Sequence, residues 1–524
     1  MKNNPITAML GISLVIILIA LDQTVVGTAM PSIVADLKGY SLYPWIAAVY
    51  LLTNAIFTPI IGRLGDIHGR KPFLIVAIAL FTLSSVFCAM ASSMIELVCA
   101  RAVQGAGGGM LIGSAFASVP DLFPNLKQRV RWQVLLSSAF GIASAVGPAL
   151  GGLLTEHIGW RSVFYVNLPI GLLAFFMVWR YLPRIVHRND KVSGLDWVGV
   201  ALLVGTLFTL LLASEMGSIL GFLNPKLWIL MIVSIALVYS FYKHQMHSNQ
   251  PILPSHLLGH STIRLLAVLS FLSGMMLFIL IFYLPLLLQA GFALSPKISG
   301  TLVTPILVGI TVGSILNGRI IVKIKQTRFV YLTGIALLII GLLTLTQTNQ
   351  ESSHAYLLVA SAFCGLGFGF QIPNLTLQMQ ATVAKADLGS SSALVQTLRS
   401  VGSMFGASIG GLLVNLYFNN TMTDYFRRAN IKDKEIIKLF DTPQILVRQI
   451  DQTYLFELGK LLNLNVVELI EQARLNLISG IHLAFWAAMI ISLGAICVSF
   501  FLPNISSSKT LVTDTLAETP NEYL

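Results

Sequence analysis

Apolar stretches of about twenty residues recur along this chain, and that recurrence restricts its fold more than any single motif. A stretch of that length crosses the hydrocarbon core of a bilayer as an α-helix, because every backbone polar group must be paired inside the segment. Fourteen can be counted, at 7–30, 44–62, 73–92, 97–118, 133–155, 162–182, 196–216, 226–243, 264–289, 299–321, 329–347, 354–376, 389–416 and 479–502. An all-α integral membrane protein is expected, and the even count places both termini on one side. Composition agrees: 55% of the 524 residues are hydrophobic and only 10% charged, against roughly 25% charged in soluble domains. The first apolar run follows a single lysine and has no small-residue cleavage site, so it reads as a retained helix.

The basic residues orient the spans. Loops after even-numbered spans carry Arg63, Arg70 and Lys71, then Lys127, Arg129 and Arg131, then Arg184, Arg188 and Lys191, and later Lys323, Lys325 and Arg328. The other side holds single charges such as Lys38, Arg161, Lys226 and Lys297. This asymmetry puts both termini in the cytoplasm. It also accounts for the net charge of +11 without a nucleic-acid partner. Cys88, Cys99, Cys364 and Cys497 fall inside apolar spans without metal-ligand spacing and read as packing residues.

The chain repeats itself. "GPALGGLL" from Gly147 matches "GASIGGLL" from Gly406, and "IIGRLGDIHGR" has a decayed counterpart in "LNGRIIVKIKQTR". Spans 2 and 5 therefore correspond to spans 10 and 13, which leaves spans 7 and 8 inserted between two pseudo-symmetric six-helix bundles. The expected organisation is an N-terminal bundle over 1–185, a linker with two extra helices over 186–262, five helices of the second bundle over 263–416, an external helical segment over 417–478, the last span over 479–505 and a cytoplasmic tail over 506–524. The apolar positions in "LLNLNVVELIEQARLNLI" recur at helical spacing, so the external segment is expected to form a helical hairpin or small cap. A tolerated insertion without a role in transport is the alternative.

Asp22 is the acid that lies well away from either end of a span, in "ILIALDQTVVGTAMPSI", residues 17–33. A carboxylate near the midplane costs about 2.5–3.5 kcal/mol on insertion scales, so it is expected to face a polar interior and to serve a function. Such a group can hold a proton in one state and release it in another. In "GRLGDIHGRKP", residues 62–72, Gly62, Gly65 and Gly69 permit a tight turn, while Asp66 and Arg70 can make charged hydrogen bonds to neighbouring helix ends. "RAVQGAGGG" from residue 101 buries Arg101 and Gln104 in span 4. In "ASAVGPALGG", residues 143–152, Gly147, Gly151 and Gly152 allow close helix approach and Pro148 removes a backbone hydrogen bond.

These stretches resemble the signatures of the major facilitator superfamily. The loop is similar to its G-x-L-a-D-x-x-G-R-K motif, the fourth-span stretch to R-x-x-q-G-x-g, and the fifth-span stretch to the antiporter motif g-x-x-x-G-P-x-x-G-G, with Ala143 in place of the first glycine. "ALDQTVVGTAMPSI" and "WRSVFYVNLPIG", residues 160–171, resemble the first-helix and sixth-helix signatures of the fourteen-helix drug:proton antiporters. The resemblance implies that Asp66 and Arg70 latch the bundles in the outward-facing state, that Arg101 takes part in proton coupling with Asp22, and that the Gly147–Gly152 motif marks an exporter. Some members place extra acids in later spans to bind cationic drugs, and none lies clearly inside those spans here.

The second half offers polar candidates for substrate contact: Gln371 and Asn374 in "CGLGFGFQIPN", and Gln396 and Arg399 in "ALVQTLRSVGSMFG". Asp22, Gln104, Tyr50 and Tyr283 complete the set, and Phe278, Phe282, Phe368 and Phe370 could add aromatic surface to a cavity. No nucleophile and base pair, metal cluster or phosphate loop is present in the pattern, so neither an enzyme nor a cofactor is expected. The expectation is a monomeric, proton-coupled exporter of hydrophobic small molecules, cationic ones included, in the cytoplasmic (inner) membrane, with an antibiotic-resistance phenotype. A dedicated exporter of a metabolite, siderophore, peptide or lipid is the alternative.

Overall fold

The structure, a computed structural model, describes residues 5–37, 43–123, 125–185, 196–220, 225–248, 251, 257, 259–321, 327–384, 387–431, 433–440, 443–446, 449–461 and 464–502. The expected tail from 506 and the basic residues Lys38, Arg188, Lys191, Lys323 and Lys325 lie outside the described residues, as do the side chains of Lys127 and Lys297.

In a bilayer the backbone pairs with itself, and helix accounts for nearly all of the described chain. The N-terminal bundle comprises α1 (Pro5–Leu37), α2 (Tyr43–His68), α3 (Arg70–Met90), α4 (Met94–Leu122), α5 (Leu126–His157) and a sixth span split at Val166 into α6 (Ser162–Tyr165) and α7 (Asn167–Tyr181). Then come α8 (Trp197–Leu220) and α9 (Pro225–His247). The C-terminal bundle comprises α10 (Ser261–Leu286), α11 (Pro296–Ile321), α12 (Thr327–Thr346), α13 (His354–Thr382), α14 (Leu388–Arg428) and, last in the chain, α17 (Val466–Phe500). Among the described residues, twelve helices are long and apolar enough by themselves to cross a membrane. The helix α5, with Lys127, Arg129 and Arg131 at its start and many small residues after, and α8, whose described apolar part ends at Ala213, fall outside that twelve.

Helix pairings repeat between the halves. In the first, α1 packs on α5 and α7, α2 on α4, and α3 on α4 and α7. In the second, α10 packs on α14 and α17, α11 on α13, and α12 on α13 and α17. The bundles meet along α2 with α14 and α5 with α11, so the helices that correspond by internal repeat face each other crosswise at the seam. The inserted pair, α8 and α9, lies outside this arrangement, and α8 touches both α2 and α14.

In the segment expected over 417–478 the helices have other bounds. The helix α14 runs without a break past residue 416 to Arg428, and α17 begins at Val466, ahead of 479. Phe418, Met422 and Phe426 recur every four residues and are buried, so the apolar stripe of the span carries on beyond it. Between the extended helices lie α15 (Lys434–Leu439), a 3-10 turn (Pro443–Leu446) and α16 (Gln449–Leu461). Asp433 caps α15 by accepting from the Glu435 and Ile436 amides. Phe440 is buried with its ring 5.8 Å from that of Phe426. These residues share one apolar cluster with Leu284, Leu287 and Leu288 of the second bundle, so the segment extends that bundle's core.

Candidate functional site: a buried ion pair and an inter-bundle latch

The first cluster forms where α1, α3, α4 and α7 converge. The start of α4 is fixed by Ser93, whose hydroxyl accepts from the Glu96 amide, while the Glu96 carboxylate accepts from the Ser92 amide. Along α4, a Cβ at Gly105 or Gly109 would strike the Tyr50 or Asn54 carbonyl of α2, so only glycine permits this approach. That contact holds the Tyr50 ring against the Arg101 guanidinium, 4.2 Å from its centre.

Asp22 is 1% exposed, and three side chains meet its two oxygens. Arg101 Nη1 donates to Oδ2 at 2.7 Å, Gln104 Nε2 to Oδ1 at 2.9 Å, and Asn167 Nδ2 to Oδ1 at 3.1 Å. The Gln104 oxygen accepts from Arg101 Nη1 at 2.8 Å and from Cys88 Sγ at 3.4 Å. Asn167 also donates to Ser85 Oγ at 2.9 Å, and Ser85 in turn donates to the Phe164 carbonyl. A lone carboxylate at this depth is expensive, whereas a carboxylate with a guanidinium and two amide donors is compensated. The arrangement ties α1 to α4 and α7 through one carboxylate.

The second cluster closes one end of the seam. Gly69 precedes α3 at φ +83°, a conformation that favours glycine, and turns the chain so that Arg70 follows Asp66 on the same side. Arg70 Nη2 donates to Asp66 Oδ1 at 3.0 Å, and Arg70 Nε donates to Asp121 at the end of α4. Across the seam, Asp66 accepts from the Gly389 amide at 2.9 Å, the Ser390 amide at 2.7 Å and the Ser390 hydroxyl at 2.9 Å. The carboxylate thus caps the first turn of α14, where unpaired amides and the helix dipole favour negative charge. Gly62 lies where a Cβ would come within 2.6 Å of the Ala393 Cβ, so it sets the closeness of α2 and α14. Arg63 reaches Asp387 at 4.0 Å beside it. A side chain at Gly65 would meet only ordinary contacts.

The glycine motif of α5 faces the Asp22 helix. A Cβ at Gly147 would collide with Thr24 Oγ1, two positions from Asp22. Gly151 is buried, Gly152 is exposed with open space beside it, and the Pro148 side chain lies outside the described residues.

The candidates of the second half do not join these clusters. Tyr283 donates to the Ala407 carbonyl at 2.6 Å and ties α10 to α14. Gln371 accepts from Ser273 at 3.2 Å, and Asn374 donates to the Thr327 carbonyl and accepts from Gln378. Arg399 donates to Gln396 one turn earlier, with no carboxylate at ion-pair distance among the described residues. Phe368 and Phe370 are packed inside the second bundle, and Phe278 and Phe282 lie against each other with Phe282 exposed on the outer face.

Five contributors were not picked out from the sequence. Asn167 was visible as an amide inside an apolar span, in a stretch already singled out. Asp121 was visible as an acid closing span 4. Nothing in the local pattern pairs Gly389 and Ser390 with Asp66, and Cys88 reads as a packing residue until the Gln104 oxygen is found beside it.

Comparison with known proteins follows the same line. A family model described as Major Facilitator Superfamily matches residues 12–407. The multidrug transporter protein MdtP of Bacillus subtilis (strain 168) is 30% identical over 516 residues, covering 95% of this chain and 93% of its own. Multidrug resistance protein 3 of the same organism is 32% identical over 419 residues, covering 80% and 81%. In fold, the human organic anion transporter MFSD10 (TETRAN) aligns with a TM-score of 0.63 at 12% identity, over 94% of this chain and all (100%) of that one. The proton:xylose symporter XylE aligns with a TM-score of 0.61 at 13% identity, over 98% of each chain.

Proposed function

The chain belongs to the major facilitator superfamily and is a membrane transporter in its fold and relatives, and we propose that it works as a proton-coupled drug exporter with fourteen membrane-spanning helices. The observation that carries this reading is the Asp22 carboxylate, buried and held by Arg101, Gln104 and Asn167. A carboxylate whose donors come from α4 and α7 changes its proton affinity whenever those helices shift relative to α1. Thr24 against Gly147 carries the same motion into α5, which lines the seam with α11. Proton uptake at Asp22 then alternates with cargo binding as the bundles rock, and the Asp66 cap on α14 stabilises the state shut at the latch end.

In this reading the termini and the latch face the cytoplasm, and the cargo is a hydrophobic small molecule, cationic ones included. Arg101 and Asp22 form the coupling pair, while Gly62, Gly65, Asp66, Gly69 and Arg70 form the conformational switch. Names of the relatives, multidrug transporter and multidrug resistance protein, support export as the direction. The test is substrate-induced proton release from proteoliposomes across a panel of hydrophobic compounds, with Asp22→Asn as control. Proton release by the wild type that Asp22→Asn abolishes is expected; an equal signal from both proteins removes Asp22 from the coupling step.

A further inference from the structure

Between the inserted pair and the seam lies a cavity of about 440 Å³, within the roughly 300–1,000 Å³ range of small-molecule sites. Its walls come from five helices: Pro59 of α2, Leu207 of α8, Val238 of α9, Phe271 of α10, and Val401 and Phe405 of α14. The Phe271 and Phe405 rings meet at 5.7 Å and form one wall. The accessible lining is carbon, and Thr206 and Thr397 stand in the wall with their hydroxyls buried behind it. No charged group and no accessible polar surface lines it, whereas recognition of a polar compound needs a few placed donors and acceptors, and apolar cavities exclude water.

The α9 wall is also the wall toward the lipid. Ile235 is 66% exposed and Val238 is 45% exposed, and both line the cavity, so it communicates with the outer apolar face of the molecule. At that depth the surrounding medium is hydrocarbon. We propose that this cavity is a lipid site that takes one acyl chain of a bilayer phospholipid between α8, α9 and the two bundles.

The position gives the chain a mechanical role. Pro59 lies one turn before Gly62, and Leu394, which also lines the cavity, follows Ala393, the residue that Gly62 touches. An acyl chain seated here packs against α2 and α14 beside the Asp66 cap, and favours the latched seam by filling the space next to it. This inference does not depend on what the protein transports.

The test uses the full chain in proteoliposomes containing phosphatidylethanolamine with a photoactivatable group in its acyl chain. Labelled peptides from α8 and α14 are expected, and excess unlabelled phosphatidylethanolamine should compete the label away. Leu207→Trp and Val401→Trp, on opposite walls, should each lower that labelling at least fivefold, whereas Ile232→Trp on the exposed face of α9 should leave it unchanged. Thermal melting of each variant checks that it is folded. Labelling unaffected by both wall substitutions overturns the proposal. Label displaced by an exported hydrophobic compound but not by lipid overturns it too, and assigns the cavity to cargo; this arm needs only the wild-type protein.

Discussion

Arg101 donates to Asp22 across 2.7 Å, although the two residues stand 79 positions apart on helices α4 and α1. Each of the two needs the other. Removal of the cation leaves an acid 1% exposed with only amide donors, and removal of the acid leaves a guanidinium with an aromatic ring and one amide oxygen.

Arg101→Ala should therefore destabilise the protein by about 3–5 kcal/mol, the usual penalty for breaking a buried pair from one side. Asp22→Asn retains shape and two of the three donors, so it should reach the membrane at normal levels and lose efflux at least tenfold. Expression, melting temperature and dye efflux of the two variants check this. Normal efflux by Asp22→Asn would falsify the coupling role.

Gly147→Ala places a methyl on Thr24 Oγ1 and should cut transport severalfold while leaving the helices intact. Thr24→Gly removes both the hydroxyl and the Cβ, which would lie 1.9 and 2.8 Å from the new methyl, so the double variant should recover most of the loss. A double variant no better than Gly147→Ala alone would show that the collision is not the cause.

Asp66→Ala strips the cap from the first turn of α14, at a cost of about 1 kcal/mol for the cap and the loss of the Arg70 partner. Ala393, 1% exposed beside Gly62, should become accessible. With the four native cysteines replaced, Ala393→Cys should react with a maleimide several times faster when Asp66→Ala is also present. Equal rates would place the closing force elsewhere on the seam.

A pH signature is expected at the opposite end of the first bundle. The Trp160 indole and the Arg161 guanidinium both donate to Asp36 Oδ2, at 2.9 and 2.8 Å, and hold its carboxyl below the usual carboxylate range. Because the folded value is the lower one, this clasp contributes fully above about pH 4, and its contribution fades as the pH falls through the folded value. Tryptophan fluorescence should titrate alike in the wild type and in Asp36→Asn from pH 8 to pH 5 and diverge only in the acid range. Divergence near neutral pH would contradict the assignment.

Phe440→Ala opens a cavity in the cap where that cap joins the second bundle's core. A loss of about 3–5 kcal/mol is expected, read as a lower melting temperature of the whole chain. An unchanged melting temperature would show a cap that folds apart from the bundle.

The sequence by itself determined that this chain is a helical membrane protein of two related halves. Apolar length and the need to pair every backbone group in hydrocarbon leave few other choices, and the loop at 62–72 and Asp22 stand out because charge in such a setting must be compensated. Tertiary structure alone decided with what. Asp66 finds its partners 323 and 324 positions away, at Gly389 and Ser390, and Asp22 finds Asn167 across 145. It also decided that Gln371, Asn374 and Tyr283 are taken up by neighbouring helices, and that the segment after 416 continues a bundle. Helix formation is local and leaves a periodic trace in the sequence. Helix pairing in a bilayer rests on close fit between small residues and on single hydrogen bonds, which leave no periodic trace, so partners become visible only when the helices are side by side.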